Sequence, residues 1–155
     1  MQYLTGIHAL NIEDNTEDYG DWHTSALNWK NIQLVDSTNT ILKDYGIETN
    51  KRIPEHDELY NVANTLREIL DLMIEGKTKY LKGFRNDFLC TDRYNTEFFE
   101  KVIQLKQLSN WEDINCLMRT EFMSSWDIFL LEKGINNNKK SKKEEKRKED
   151  DKLLN

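Results

Sequence analysis

Cysteine is scarce in this sequence. Cys90 and Cys116 are the two present, far apart and without a Cys-x-x-Cys spacing. A disulfide between them is not expected in a reducing compartment, and both read as small buried apolar side chains. Long hydrophobic runs are missing as well. No window approaches the roughly 20 consecutive apolar residues that a membrane-spanning helix needs. Residues 1–8 place no basic segment ahead of an apolar one, so no secretory signal is expected and the expected compartment is the cytoplasm. Proline occurs once, while Asn, Lys and Ile are abundant, which resembles the usage of an AT-rich bacterial genome. No internal repeat is visible.

What is present suits one globular domain with a polar appendage. The chain has 155 residues, 37% of them hydrophobic and 32% charged, and domains commonly run to about 100–150 residues. The net charge of −6 hides a division. Residues 135–155 hold 8 Lys/Arg and 5 Asp/Glu, leaving 14 basic and 23 acidic residues on 1–134, so the tail is +3 and the body −9. An acidic body repels nucleic acid and favours a protein partner with a basic surface. An acidic surface that only keeps the protein in solution is the plainer reading. Beyond Gly134 the mixed-charge stretch has no apolar stripe to offset its ordering entropy, so residues 135–155 are expected to be a disordered charged tail after a globular domain over 1–134.

The expected fold is mainly α. Its helical core of three to four helices would carry an irregular or short-stranded N-terminal third. In that third, Ile7, Ala9, Leu10 and Ile12 alternate in part, as in a broken strand. Residues 13–20 read as a polar loop, and Trp22, Ala26 and Trp29 are spaced for one helical face. Residues 31–35 and 45–48 read as short extended pieces around a turn cluster at 36–39. The firmest pattern is over 57–75, where Leu59, Val62, Ala63, Leu66, Ile69, Leu70 and Met73 make one amphipathic stripe. Glu58, Asn64, Glu68, Asp71 and Glu75 lie off it, Pro54 precedes it and Gly76 stops it. A second helix is expected over 96–108, with Phe98, Phe99, Val102, Ile103 and Leu105 on its buried face. A third opens with the capping box Ser109-Asn110-Trp111-Glu112 and runs through Trp111, Ile114, Met118, Phe122, Trp126 and Phe129 to Gly134, with a break near Ser124-Ser125.

Chemistry-bearing patterns are few. In Gly20-Asp21-Trp22-His23-Thr24-Ser25, Asp21 and His23 could form a carboxylate–imidazole pair beside a hydroxyl, with His8 as a further polar group. Residues two apart on a helix do not face each other, however. The plainer reading has Asp21 capping a helix and His23 making a structural hydrogen bond. No His-x-x-x-His, His-Glu-x-x-His or Cys-x-x-Cys spacing supports a metal, and no cofactor is expected. Gly76-Lys77-Thr78 mimics the end of a phosphate loop but lacks its earlier glycine. Lys77, Lys79, Lys82 and Arg85, with Tyr80 and Phe84 between them, form the body's basic patch. The plainer reading is a connecting segment whose aromatic residues tuck into the core, and direct nucleic-acid binding is not expected.

Four strings, Leu4-Thr5-Gly6-Ile7-His8-Ala9-Leu10-Asn11, Gly20-Asp21-Trp22-His23, Asp44-Tyr45-Gly46-Ile47-Glu48 and Asn86-Asp87-Phe88-Leu89-Cys90, resemble a family of small bacterial proteins encoded beside abortive-infection nucleotidyltransferase toxins. The resemblance spans residues 1 to about 130. It implies an antitoxin-like or accessory role and carries over no catalytic residue. The expected function is therefore a non-enzymatic interaction protein, a partner of a nucleic-acid-handling enzyme in a toxin–antitoxin or defence system. The alternative is a small hydrolase or nuclease centred on Asp21 and His23.

Overall fold

The computed structural model describes residues 1–15, 27–89, 91–135 and 152–153. Its first half is built on a four-stranded mixed sheet of order β2-β1-β4-β3. The strands are β1 (Gln2–Leu4), β2 (Leu34–Asp36), β3 (Ile47–Arg52) and β4 (Leu59–Ala63), with a one-turn helix α1 (Ile7–Leu10) after β1. β1 runs antiparallel to β2 and parallel to β4, and β3 is antiparallel to β4. Helices follow: α2 (Thr65–Ile74), the short α3 (Phe84–Asp87), α4 (Asn95–Ile103), α5 (Trp111–Phe122) and α6 (Ser124–Glu132). The fold is α+β, which corrects the mainly-α expectation.

The error has one main source. Leu59, Val62 and Ala63 continue the three-and-four spacing of Leu66, Ile69 and Leu70, so the stretch reads as one helix. In the structure residues 59–63 are instead a central strand, paired on both sides. Spacing alone cannot separate a short two-sided strand from the first turn of a helix. The helix begins at Thr65, where Asn64 is extended and its side chain accepts the Arg67 amide at 2.9 Å. Asp14 adds a second cap by accepting the Thr65 amide at 2.6 Å.

In the N-terminal third the residues read as a broken strand form a helix instead, Ile7–Leu10, while the strands there belong to the mixed sheet. Gly6, at φ 81°, turns the chain from β1 into α1. The turn cluster at 36–39 is a 3₁₀ turn, Ser37–Asn39, opened by Asp36 accepting the Thr38 amide at 3.0 Å.

Two cores result. Tyr3, Leu4, Ala9, Trp29, Ile53, Val62 and Ala63 pack around the sheet. A larger helical core takes Leu66, Ile69, Leu70 and Met73 from α2, with Phe98, Phe99, Phe122, Trp126 and Phe129 from the later helices. The α4 helix stops at Ile103, short of the expected 108. The N-cap of α5 is Asn110 and not Ser109, and the Asn110 side chain does not cap the helix but donates to the Met73 carbonyl at 2.8 Å. The expected break in the last helix falls at Met123, at φ 52° and ψ −128°, with Ser124 and Ser125 opening α6. Among the described residues no helix is long and apolar enough to cross a membrane.

Candidate functional site

Among the described residues, the buried charged side chains lie on the face of α2 that its apolar stripe leaves over. Arg67, Glu68 and Asp71 fall there, and on a lone amphipathic helix that face would meet water. Here β1 and the turn over 37–45 cover it. Arg67 and Glu68 are 0% exposed and Asp71 6%.

The contacts of Arg67 account for its burial. Its Nε donates to Asp71 Oδ1 at 2.8 Å. One terminal nitrogen donates to the carbonyls of Lys43 (2.7 Å) and Tyr45 (2.6 Å). The other donates to Tyr3 Oη and Thr40 Oγ1, both at 3.0 Å. A guanidinium has five N–H groups, and all five are used. The same group lies over the Tyr3 ring, 4.9 Å from its centroid. Tyr3 in turn donates to Asp71 Oδ2 at 2.7 Å. Burial and the neighbouring Asp71 carboxylate push the Tyr3 phenol well above its usual range.

Glu68 sits one helical turn nearer the start of α2. Its Oε2 is 2.8 Å from Thr5 Oγ1, which also lies 3.0 Å from Asp71 Oδ2. Glu68 Oε1 is buried without a hydrogen-bond partner. Burial raises the Glu68 carboxyl well above the carboxylate range, and the charges of Asp71 and Glu75 act in the same direction. Beside this network opens a cleft of about 220 Å³, lined by Tyr3, Thr5, Thr40, Asp71 and Glu75 with apolar walls from Ile41 and Ile74. Glu75, exposed on that lining, is paired with Lys77 at 2.9 Å.

Such an arrangement holds β1, the 37–45 turn and α2 together. Each strong donor of Arg67 and each Asp71 oxygen is already engaged, so neither is poised to act on a substrate. Around Arg67 and Asp71 every donor and acceptor is met, and a buried network satisfied in this way rigidifies a fold. Sequence reasoning missed Arg67, Tyr3 and Thr5. The available signal was the four-residue spacing of Arg67 and Asp71, which allows an ion pair on any helix and says nothing about burial.

The other candidates are placed as follows. Asp21 and His23 lie outside the described residues. His8 places Nε2 2.9 Å from the Asn28 carbonyl and meets the Trp29 ring edge-on at 4.9 Å. His56 does the same kind of work, with Nε2 2.6 Å from the Trp29 carbonyl and Nδ1 3.0 Å from Tyr60 Oη. In the basic patch, Leu81 and Phe84 are buried, Tyr80 is 68% exposed, and Arg85 pairs with Asp92 at 3.3 Å. Cys90 lies outside the described residues. Cys116 is an exposed free thiol, which corrects its expected burial. It stands on the outer side of α5, between the buried Ile114 and Leu117. Among the described residues no group of three or more His, Cys, Asp or Glu side chains could hold a metal ion.

The site and fold together define a small α+β protein locked by a buried charge network. No family model, no curated protein and no solved structure matches the chain.

Proposed function

We propose that this chain acts as a non-enzymatic interaction protein whose acidic surface binds a basic, nucleic-acid-handling enzyme, in an antitoxin-like or accessory role. The observation that carries the reading is a division of labour among its charges. The ionisable groups that converge, Arg67 and Asp71, are engaged with each other inside the fold. Acidic residues outnumber basic ones 23 to 14 on 1–134, and among the described residues the buried charged ones are Arg67, Glu68 and Asp71. The turn between β3 and β4 concentrates acidic side chains: Glu55, Asp57 and Glu58 are all exposed there. A basic partner would be steered to such a surface, and association would weaken as salt rises. The resemblance to proteins encoded beside nucleotidyltransferase toxins adds the expected kind of partner.

Co-expression with the neighbouring gene tests the reading. The chain should co-purify with that product and relieve its toxicity. A Glu55→Lys, Asp57→Lys, Glu58→Lys triple variant should bind more weakly with its melting temperature kept. A neighbour that is neither toxic nor bound would remove the case.

A further inference from the structure

Thr5 has one hydroxyl hydrogen, yet its oxygen lies within hydrogen-bond distance of two carboxyl groups, 2.8 Å from Glu68 Oε2 and 3.0 Å from Asp71 Oδ2. Ionised carboxylates only accept. The hydroxyl hydrogen serves one of them at a time, and both contacts are hydrogen bonds together only if one carboxyl carries a proton of its own. Asp71 is the anion of the pair. Its Oδ1 faces the Arg67 guanidinium and its Oδ2 receives the Tyr3 hydroxyl. Among the described residues no cation is paired with Glu68: all five N–H groups of Arg67 point elsewhere and Lys77 is held by Glu75. Its second oxygen, buried and unpartnered, is tolerable as the carbonyl of a neutral acid and far more costly as half of a carboxylate.

We infer that Glu68 keeps its proton in the folded protein, and that this proton closes a latch between β1 and α2 which opens as pH rises. The relay runs in one direction. Glu68 donates to Thr5 Oγ1, and Thr5 donates to Asp71 Oδ2. Among the described groups that face Glu68, burial and the like charges outweigh the donors that favour its ionised form. Asp71 and Glu75, on its own helix, disfavour a second negative charge. Thr5 at the end of β1 and the Gly6 amide after it are the polar groups from the opposing segment, and as donors they favour the carboxylate, a smaller effect than burial. Lys77, past the end of α2, is held by Glu75. Loss of the proton would set two buried anions against one hydroxyl hydrogen and loosen Thr5, and β1 with it, from α2.

The sign follows from linkage. The folded state holds a proton that an unfolded Glu releases near pH 4.3. The stabilisation is complete below that pH and is lost as pH rises toward the raised native value. Across that window the folding constant falls tenfold per pH unit on account of this one group. A Glu68→Gln substitution copies the protonated acid: its amide donates to Thr5, its carbonyl takes the place of Oε1, and nothing titrates.

The experiment is urea unfolding of the full chain at intervals from pH 4 to pH 9, for the native protein and for Glu68→Gln, Asp71→Asn and Thr5→Val. The ratio of folding constants, native over Glu68→Gln, should fall tenfold per unit through the window. The Glu68 carboxyl carbon, followed by NMR in the native protein, should titrate well above the other glutamates. Parallel stability curves for native and Glu68→Gln would overturn the inference. So would a Glu68 carboxyl that titrates with the rest, or an Asp71→Asn variant that alone removes the slope. Should Glu68→Gln fail to fold, the carboxyl titration of the native protein decides.

Discussion

Arg67 and Asp71 stand one helical turn apart on α2, with Nε and Oδ1 at 2.8 Å and side chains 0% and 8% exposed. Exposed pairs of this spacing add a few tenths of a kcal/mol to a helix. This one is enclosed by β1 and the 37–45 turn, where removing either partner leaves a buried charge alone. The pair therefore acts less as a helix support than as the fastening of three segments distant in sequence.

Arg67→Lys should show this. A lysine offers three donors where five acceptors wait, so at least two of Asp71, Tyr3, Thr40 and the Lys43 and Tyr45 carbonyls lose a partner. Buried unsatisfied groups cost about 1–3 kcal/mol. Arg67→Met, which strands Asp71, should cost about 3–5 kcal/mol. Urea denaturation monitored by tryptophan fluorescence gives both values, and a silent Arg67→Met would mean that the cluster is loosely held.

Gly46 is the tightest point of the same fastening. It lies at φ +68°, and a Cβ there would come 2.7 Å from Arg67 Cβ and 2.9 Å from Asn64 Oδ1. The Gly46 carbonyl also accepts the Asn64 amide at 2.7 Å. Gly46→Ala should destabilise by about 2–4 kcal/mol, from left-handed backbone strain and overpacking together. Gly134 has a similar φ of +70° with nothing within 4 Å, so Gly134→Ala carries the backbone cost alone. Thermal melts of the two variants should differ accordingly.

Trp126 is wholly buried, edge-on to Phe99 at 5.3 Å and stacked on Phe129 at 5.8 Å. Its Nε1 donates to Asn115 Oδ1 at 2.8 Å, tying α6 to α5 across the Met123 break. Trp126→Ala should cost about 3–5 kcal/mol, a large part of the 5–15 kcal/mol that typically holds a domain. Unfolded or precipitated protein on expression is the expected result. A soluble variant with a cooperative, nearly unshifted melt would make Trp126 dispensable to the core.

Asp21 separates binding from chemistry. The sequence reading of Asp21 as a helix cap implies that Asn is tolerated there, whereas Ala should cost ~1 kcal/mol. Asp21→Asn should therefore leave stability and partner binding unchanged, and Asp21→Ala should lower stability alone. Loss of biological activity in a stable Asp21→Asn protein would favour the hydrolase or nuclease reading with His23 and His8.

Much of the helical half was legible because its signals are local. Phe98, Phe99 and Val102 repeat at helical spacing and are buried as that spacing requires. The break before α6 was announced by two poor helix formers in a row. The N-cap position of α5 was set by a tertiary contact, since Asn110 reaches across to the end of α2. The strand at 59–63 was missed because its apolar residues share a spacing with the helix after it, and only its pairing with β1 and β3 distinguishes the two.

The sequence by itself determined which residues are apolar enough to form the helical core and where the large excess of acid lies. Periodicity and composition are properties of the chain, and burial of apolar surface follows them. The tertiary structure alone decided that the polar face of α2 would be inside. Nothing local to Arg67, Glu68 and Asp71 marks them as buried. Their partners Tyr3, Thr5, Thr40, Lys43 and Tyr45 come from segments some 20 to 70 residues away. Charges enter a protein interior only when all their hydrogen bonds are met there, and that condition exists only once the sheet, the turn and the helix have closed on one another.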